Sequence, residues 1–381
     1  MDFSLDEQAQ AIFEVAHAFG QDKIAPHSNA WEDAGTIPRE VLKEAAELGF
    51  GALYVPEDLG GTGLTRLEAT LVFEALAMAD PSVSAFLSIH NMCTLMIAKY
   101  TNNDVREDLF PRLSTLDAVA SYCLTEPNAG SDAAALRTKA ERSETGFSLS
   151  GTKAFISGGS PSHVSIVMCR PGGDGPRGIS AVLVPNDAPG LSFGALEKKM
   201  GWKAQPTAQV QFDACSVPAG NLLGEEGKGF SYAMEGLDGG RLNIAACSLG
   251  GAQAAYDIAL NYVGERKAFG STLESFQNIQ FKLAQMATQL EAARLFLRQA
   301  AWSLDQQLPS ATRQCAMAKF LVTDICSQVA DDALQLLGGY GYLADYGVEK
   351  IVRDLRVHRI LEGTNEIMQL VVARDLLKAR G

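Results

Sequence analysis

The sequence lacks the cysteine and histidine patterns of disulfide scaffolds and zinc proteins. Its seven cysteines are dispersed and contain no C-x-x-C pair, and its five histidines show no ligand spacing with one another or with a cysteine. This pattern argues against a metal cofactor and predicts buried, reduced thiols in a cytosolic protein. Long apolar runs are also lacking. Polar residues interrupt even the most apolar run, 244–260, so we predict no membrane span.

Basic patches are lacking as well. The formal net charge is −13, and the lysines and arginines are scattered among acidic residues. A groove that neutralises nucleic-acid phosphates needs clustered Lys and Arg, so the sequence predicts no nucleic-acid partner. The segment from Met1 to Glu7 is acidic where a secretory or transit peptide is basic. We therefore expect a cytoplasmic chain that starts directly with structure, with Ser4 and Glu7 as a capping box for the first helix.

What is present is a chain of 381 residues whose local pattern changes twice. Residues 1–118 carry helical periodicity, residues 119–225 contain short β-rich runs between Gly, Pro and Asp turns, and residues 226–381 return to long helices. We predict an α+β multidomain protein with an N-terminal all-α domain, a small antiparallel middle β domain and a C-terminal four-helix bundle. The one G-x-G-x-x-G match, 173–178, precedes a β run and is interpreted as a hairpin turn.

The same periodicities give approximate bounds for the elements. Helices are predicted at 5–19, 38–48, 65–78, 85–100, 239–265, 276–304, 310–337, 352–361 and 367–377, and strands at 118–125, 147–156, 164–169, 179–185 and 209–212.

A carboxylate stands at the break between the last two predicted helices. The segment is Leu361-Glu362-Gly363-Thr364, and Thr364 or Asn365 suits the N-cap of the final helix. A carboxylate held between two helices can face a cavity, so Glu362 is our candidate catalytic base. Taken without the rest of the chain, Glu362 is better interpreted as a solvated loop residue, because glutamates are mostly exposed.

Five long motifs decide between these interpretations. They are the segments 122–132, 151–158, 265–270, 334–342 and 361–364. Through them, and over essentially its whole length, the chain resembles the acyl-CoA dehydrogenase family. Three further segments, 88–93, 198–207 and 236–245, are most similar to the branch of the family that acts on isobutyryl-CoA.

The resemblance implies α,β-dehydrogenation of a short branched acyl-CoA, from isobutyryl-CoA to methacrylyl-CoA in valine catabolism. It implies FAD as the cofactor, an electron-transferring flavoprotein as the partner and a homotetramer. The reaction needs a carboxylate base, hydrogen bonds to the thioester carbonyl and a flavin near the β-carbon. Glu362 matches the family base. Other branches take the base from the residue before Arg241, and Gly240 has no carboxylate to offer.

The resemblance also implies the binding residues. Those for FAD are Tyr122, Leu124, Thr125, Gly130, Ser131, Phe155, Ile156, Ser157, Arg266, Phe269, Phe276, Gln277, Gln335, Gly338, Gly339, Thr364, Asn365 and Glu366, of which Arg266 to Gly339 act across a subunit contact. Those for the substrate are Ser131, Asp238, Arg241, Gly363 and Arg374. Two positions depart from the family pattern. Asn128 stands where Gly is usual, and Phe155 replaces the commoner Trp, so we expect weaker stacking on the flavin there.

Three alternatives stay open at this point. The first is a dehydrogenase for another short acyl-CoA, such as butyryl- or 2-methylbutyryl-CoA. The second is a flavin oxidase or monooxygenase on the same fold, and Glu362 together with the arginines expected to contact CoA speaks against the monooxygenase. The third is a flavin-bearing DNA-binding or assembly paralogue, which the acidic composition disfavours.

Overall fold

The computed structural model describes residues 4–378, and its N-terminal part is helical. The helices are α1 (Glu7–Phe19), α2 (Ser28–Ala34), α3 (Arg39–Glu47), α4 (Arg66–Ala79), α5 (Pro81–Tyr100) and α6 (Asn103–Ser114). Helix α5 starts earlier than predicted because Asp80 caps it: the Asp80 carboxylate accepts hydrogen bonds from the N–H groups of Ser82 (2.7 Å) and Val83 (3.2 Å). Helices α2 and α6 were not predicted.

The start of α1 differs from the expectation. Asp6 holds the N-cap position, and its carboxylate accepts a hydrogen bond from the N–H of Ala9 at 2.8 Å. The N-cap is therefore Asp6 and not Ser4, the position that the predicted capping box of Ser4 and Glu7 implies. Residues 1–3, which the same expectation covered, lie outside the described residues.

The middle part forms two four-stranded sheets. Their strands are β1 (Ala120–Cys123), β2 (Lys139–Arg142), β3 (Gly146–Ser157), β4 (Val164–Cys169), β5 (Ser180–Pro185), β6 (Leu191–Phe193), β7 (Thr207–Pro218) and β8 (Leu222–Leu223). One sheet has the order β1-β4-β5-β8 and the other β2-β3-β7-β6. Apolar side chains of β3 and β7, such as Phe147 and Val210, pack against those of β4 and β5, such as Val167 and Val182. The other face of the first sheet packs on α5 and α6.

One strand pair departs from the antiparallel expectation. Strands β1 and β4 pair in parallel, with Ala120 opposite Val164 and Cys123 opposite Val167. The chain between them passes through β2 and β3 of the other sheet and returns in its original direction, which is the long connection that parallel pairing requires. The segment 173–178 lies between β4 and β5, where a hairpin turn was expected.

Long helices make up the C-terminal part. They are α7 (Gly229–Glu265), α8 (Gln277–Asp305), α9 (Ala311–Leu337), α10 (Val348–Arg356) and α11 (Asn365–Lys378), with a small hairpin of β9 (Lys267–Ala268) and β10 (Ser271–Thr272) before α8. Helices α7, α8 and α9 pack on one another, and α10 and α11 pack on α9. The predicted helix 352–361 ends at Arg356 and continues as a 3₁₀ turn, Val357–Arg359.

A single core joins the two helical parts. Phe73 and Leu76 of α4, Leu249 of α7 and Cys326 of α9 belong to the same buried cluster. Helix α5 is, among residues 4–378, the one helix long and apolar enough to cross a membrane, and 89% of its apolar window is buried inside the protein. Core helices of globular proteins show the same combination of length and burial. From the sequence alone, 244–260 had been chosen as the most apolar run instead.

Candidate active site

Glu362 lies in a tight turn between the 3₁₀ turn after α10 and the start of α11. Two consecutive residues of this turn are left-handed, Glu362 with φ +56° and Gly363 with φ +88°. The left-handed conformation of Gly363 favours glycine, and a Cβ there would also lie 2.5 Å from Cε of Met368. The hydroxyl of Thr364 accepts the N–H of Ile367 at 3.3 Å, which confirms the N-cap expectation for Thr364.

The Glu362 carboxylate faces α7 at a glycine. A Cβ on Gly240 would lie 2.6 Å from Oε2 of Glu362, and this oxygen is buried with no hydrogen-bond partner among the described residues. Burial raises the pKa of Glu362 to about 7, and the nearby charges of Arg241 and Lys319 limit the rise. A carboxylate that titrates near neutral pH is suited to general-base work.

Two more buried polar atoms beside this carboxylate lack partners among residues 4–378. They are the hydroxyl of Tyr122 on β1 and Nε of Arg241 on α7. Burial raises the pKa of Tyr122 well above its ordinary value, and the charge of Glu362 adds to the rise. Buried polar atoms normally have partners. Three orphaned atoms at one place therefore fit a site that a polar ligand completes.

Two predicted substrate residues are joined on α7. The Arg241 guanidinium forms an ion pair with Asp238, and the Thr312 hydroxyl donates to the other carboxylate oxygen of Asp238 at 2.6 Å. Arg241 is 5% exposed, so this pair is mostly shielded from water. Ser131 and Arg374, also predicted to contact the substrate, lie on the surface, in the segment after β1 and on α11.

The segment after β1 and the strand β3 form the face predicted for the flavin ring. The N–H of Ala154 donates to the carbonyl of Thr125 at 2.9 Å, which ties the two together. A register shift of β3 between Lys153 and Ile156 turns Phe155 outward, with φ +60° and a side chain 69% exposed.

The other residues predicted to bind the flavin differ in which of their groups can contact a ligand. The side chains of Leu124 and Ile156 are buried, so only their backbone groups can reach a ligand. Ser157 lies on β3, and its carbonyl accepts the hydroxyl of Ser121 at 2.7 Å. A side chain at Gly130 would meet no heavy atom within 4 Å. The open face beside Phe155 fits a planar aromatic group.

A second group of predicted residues lies at the far end of α7. Arg266, Gln335, Gly338 and Gly339 line a cavity of about 390 Å³. The Arg266 guanidinium lies 5.3 Å from the ring centroid of Tyr340. Gly338 has φ +59°, a conformation that favours glycine, and it opens on free space. None of the residues around the Glu362 carboxylate lines this cavity, so one chain does not bring the two groups together.

The remaining predicted residues flank these two groups. Phe269 is 97% exposed and contacts Phe276 edge-on, with ring centroids 6.3 Å apart. Gln277 is the first residue of α8 and is exposed, as is Glu366 in the first turn of α11. Asn365 is 5% exposed, and its side chain is bound to α9.

Three residues near the site were missed by sequence reasoning. Lys319 of α9 donates hydrogen bonds to the turn of Glu362. Burial raises the pKa of the Cys93 thiol on α5 well above its ordinary value, and the nearby charge of Glu362 adds to the rise. Lys153 of β3 is fully buried in an ion pair with Glu126 at 2.9 Å. One sequence signal could have identified Lys319, namely a lysine at a core-facing position of an apolar helix. Lys319 stands among buried residues of α9, and a lysine is rarely buried there without a role.

No metal site and no disulfide occur among residues 4–378. No three His, Cys, Asp or Glu side chains in that range come together as metal ligands. All seven cysteines are buried and free.

The site thus brings a buried carboxylate with a pKa of about 7 together with unpartnered polar atoms of β1 and α7. Three family models match successive parts of the chain. They are the N-terminal domain of acyl-CoA dehydrogenase at residues 6–117, its middle domain at 121–215 and its C-terminal domain at 227–377. The chain belongs to the acyl-CoA dehydrogenase family, whose members are FAD-dependent oxidoreductases.

Three relatives show how far the similarity extends. Isobutyryl-CoA dehydrogenase, mitochondrial, from Dictyostelium discoideum is 52% identical over 98% of this chain and 90% of its own length. Butyryl-CoA dehydrogenase from Megasphaera elsdenii has a TM-score of 0.95 and 37% identity over 99% of this chain and 100% of its own. The FAD complex of PigA has a TM-score of 0.95 and 29% identity, and the match covers 100% of both chains.

Proposed function

We propose that this protein is an FAD-dependent dehydrogenase of a short branched acyl-CoA, which converts isobutyryl-CoA into methacrylyl-CoA in valine catabolism. The observation that carries the proposal is the Glu362 carboxylate, with a buried, unpartnered oxygen and a pKa near 7. The choice of substrate is supported by the 52% identity to a relative named for isobutyryl-CoA.

Glu362 is the base in this reaction. In its ionised form, its free Oε2 accepts the α-proton of the acyl group, and Arg241 remains close enough to stabilise the negative charge before transfer. Gly240 leaves the space in which this carboxylate stands.

The developing charge on the substrate needs a donor of its own. The backbone N–H of Glu362 donates to no residue among 4–378, so it is available to the thioester carbonyl oxygen, where enolate charge develops. The exposed Phe155 and the unpartnered hydroxyl of Tyr122 are residues that would hold the flavin, and bound FAD would supply the acceptor for the hydride of the β-carbon.

We further propose a homotetramer whose neighbouring subunits complete each FAD site. What supports it is the separation of the Arg266 cavity from the Glu362 carboxylate within one chain, together with the exposed Phe269 ring beside that cavity. An electron-transferring flavoprotein is proposed as the acceptor of the electrons. The cytoplasmic location predicted from the acidic first residues is likewise a proposal, and the relative from Dictyostelium discoideum is named as mitochondrial.

A panel of acyl-CoA thioesters with a dye acceptor tests the substrate. We expect kcat/KM for isobutyryl-CoA to exceed that for octanoyl-CoA by well over tenfold, because each misfitting group in a short pocket costs about 1–3 kcal/mol. Isovaleryl-CoA should be poor, since its methyl groups lie where the β-carbon must face the flavin. A preference for octanoyl- or isovaleryl-CoA would overturn the substrate but not the reaction class. Butyryl- and 2-methylbutyryl-CoA complete the panel, and oxygen-linked turnover in place of dye-linked turnover would indicate an oxidase.

The variant Glu362→Gln tests the base. The amide is nearly isosteric and cannot take the α-proton, so the holoenzyme should keep FAD while flavin bleaching by isobutyryl-CoA slows by at least about a hundredfold. Bleaching near the wild-type rate would remove Glu362 from the mechanism.

A further inference from the structure

Lys319 is bound to the turn that carries the catalytic carboxylate. Its side chain on α9 is 0% exposed, and its ammonium group donates to the carbonyl of Gly363 and to Oδ1 of Asn365, both at 2.8 Å. These two acceptors lie one and three residues after Glu362 in the chain. The lysine therefore contacts the turn on the side of α9, at the left-handed Gly363 and at the first residue of α11.

The partners of Lys319 are unusual for a buried lysine. Both of its hydrogen-bond acceptors are uncharged, and it forms no ion pair among the described residues. The other fully buried lysine, Lys153, has the carboxylate of Glu126 at 2.9 Å. Burial of an ammonium group is costly without a charged partner, so its presence at a core position of α9 calls for a function.

We propose that Lys319 is a positioning residue for proton abstraction: its hydrogen bonds hold the turn of Glu362 in its left-handed conformation, and its positive charge favours the ionised carboxylate. The inference rests on the proposed function, in which Glu362 is the base. It assigns a role to a side chain that touches neither the acyl group nor Glu362 itself.

Four elements present titratable groups to the Glu362 carboxylate. Arg241 of α7 and Lys319 of α9 are cationic and lower its pKa, while burial raises it to about 7. Tyr122 of β1 and Cys93 of α5 stay neutral in this range, because burial raises the pKa of each well above its ordinary value. Lys319 is thus one of two charges that oppose the burial of the base.

The environment of Lys319 sets the pH range of its effect. Burial lowers the pKa of Lys319 to about 8; the charges of Glu362, Asp324 and Glu366 raise it, and that of Arg241 lowers it. Burial lowers the pKa of His358 to about 3, and the same ammonium charge adds to the fall, so this imidazole stays neutral. Between about pH 7 and pH 8, the ionised Glu362 and the ammonium form of Lys319 coexist.

Two substitutions separate the hydrogen bonds of Lys319 from its charge. Lys319→Met removes the hydrogen bonds and the charge while keeping a side chain of similar length. Lys319→Gln removes the charge but keeps a donor for the Gly363 carbonyl. The control is Thr323→Val, because the Thr323 hydroxyl accepts the amide of Asn365 at 3.0 Å and carries no charge. The control loosens the same turn without changing the field at Glu362.

Two measurements on the holoenzymes test the hydrogen bonds and the charge of Lys319 separately, and neither requires turnover. Amide hydrogen exchange of the segment 358–368 reports the turn, and we expect at least about tenfold faster exchange in Lys319→Met, the low end for losing a hydrogen bond to a charged group. The infrared titration of the Glu362 carboxyl, assigned by its loss in Glu362→Gln, reports the charge. Its midpoint should rise by about one pH unit in both Lys319 variants and stay unchanged in Thr323→Val.

Unchanged midpoints in both Lys319 variants, or unchanged exchange of the turn in Lys319→Met, would overturn the inference. If Lys319→Met does not fold, the midpoint in Lys319→Gln still decides the role of the charge. Flavin bleaching by isobutyryl-CoA is measured separately on the wild type. Its failure would count against the proposed function alone, because the exchange and infrared measurements require no acyl-CoA.

Discussion

Adding one methyl group at Gly240 should separate the stability of this protein from its activity. A Cβ at this position would lie 2.6 Å from Oε2 and 2.9 Å from Cδ of Glu362, whereas ordinary contact begins at about 3.4 Å. In Gly240→Ala, the carboxylate must therefore retreat by about 0.8 Å. Because the clash involves the end of a side chain, the backbone of α7 can stay in place.

The substitution should slow flavin bleaching but leave the stability of the protein nearly unchanged. A misplacement of about 1 Å costs about a hundredfold in rate, so flavin bleaching by isobutyryl-CoA should slow by about 30- to 100-fold. Alanine is better than glycine inside a helix by about 1 kcal/mol. This gain offsets the cost of moving the carboxylate, and we expect the free energy of unfolding to stay within about 1 kcal/mol of the wild type.

Stopped-flow bleaching and urea unfolding of the same holoenzyme preparations measure both quantities. Gly264→Ala is the matched control, because it makes the same change in α7 where the new Cβ meets only Glu274 Oε2 at 3.4 Å. The control should bleach at the wild-type rate. Wild-type bleaching in Gly240→Ala would refute the placement of the carboxylate against α7, and equal slowing in both variants would show that the helix, not Glu362, is affected.

Three other perturbations have outcomes fixed by contacts of the described residues. Arg266→Ala should lose FAD and weaken the oligomer together, as measured by the flavin-to-protein absorbance ratio and by sedimentation, and full occupancy with unchanged sedimentation would contradict the proposed shared site. Lys350→Met should lower the free energy of unfolding in urea at pH 7 by at least about 3–5 kcal/mol, because it leaves the carboxylates of Asp80 and Asp354 buried and unpaired. In the wild type these carboxylates lie 3.0 and 2.7 Å from the Lys350 ammonium group. Glu362→Gln should raise the free energy of unfolding by about 3 kcal/mol at pH 8, because the native state raises this pKa from 4.5 to about 7 and so disfavours the ionised form. That gain should fade as the pH falls from 7 to 4.5, and a variant no more stable than the wild type at pH 8 would contradict the burial of the base.

Local sequence patterns were enough to predict the bounds of elements whose conformation depends mainly on their own residues. The strand predicted at 164–169 is β4 with the same bounds, and the helix predicted at 310–337 is α9 within one residue. Helix α7 shows where such reasoning stops. The predicted helix starts at Gly239, whereas α7 begins at Gly229, so its first turns were not predicted, and glycines 236, 239 and 240 lie inside it.

The physical reason is that these glycines serve contacts with distant segments. A Cβ on Gly236 would lie 3.1 Å from Sδ of Met96, and one on Gly239 would lie 2.6 Å from a guanidinium nitrogen of Arg66. Helix propensity counts the cost of glycine but not the close approach that glycine permits. The parallel pairing of β1 with β4 and the bonds of Lys319 to the turn are equally non-local. Glu362 was predicted as the base because its motif is contiguous, whereas the groups that set its pKa are distributed over the chain.

The strength of Glu362 in its proposed role as the base therefore depends on how the whole molecule packs. Its neighbours come from β1, α5, α7 and α9, and the largest effect on its pKa is burial, which no single neighbour supplies. Any substitution that admits water between these elements should lower the pKa of Glu362 toward 4.5, because the ionised form is then solvated. Once the carboxylate is fully ionised, a further fall in its pKa makes it a weaker base toward the α-proton. Packing defects between the domains should thus slow proton abstraction before they unfold the protein.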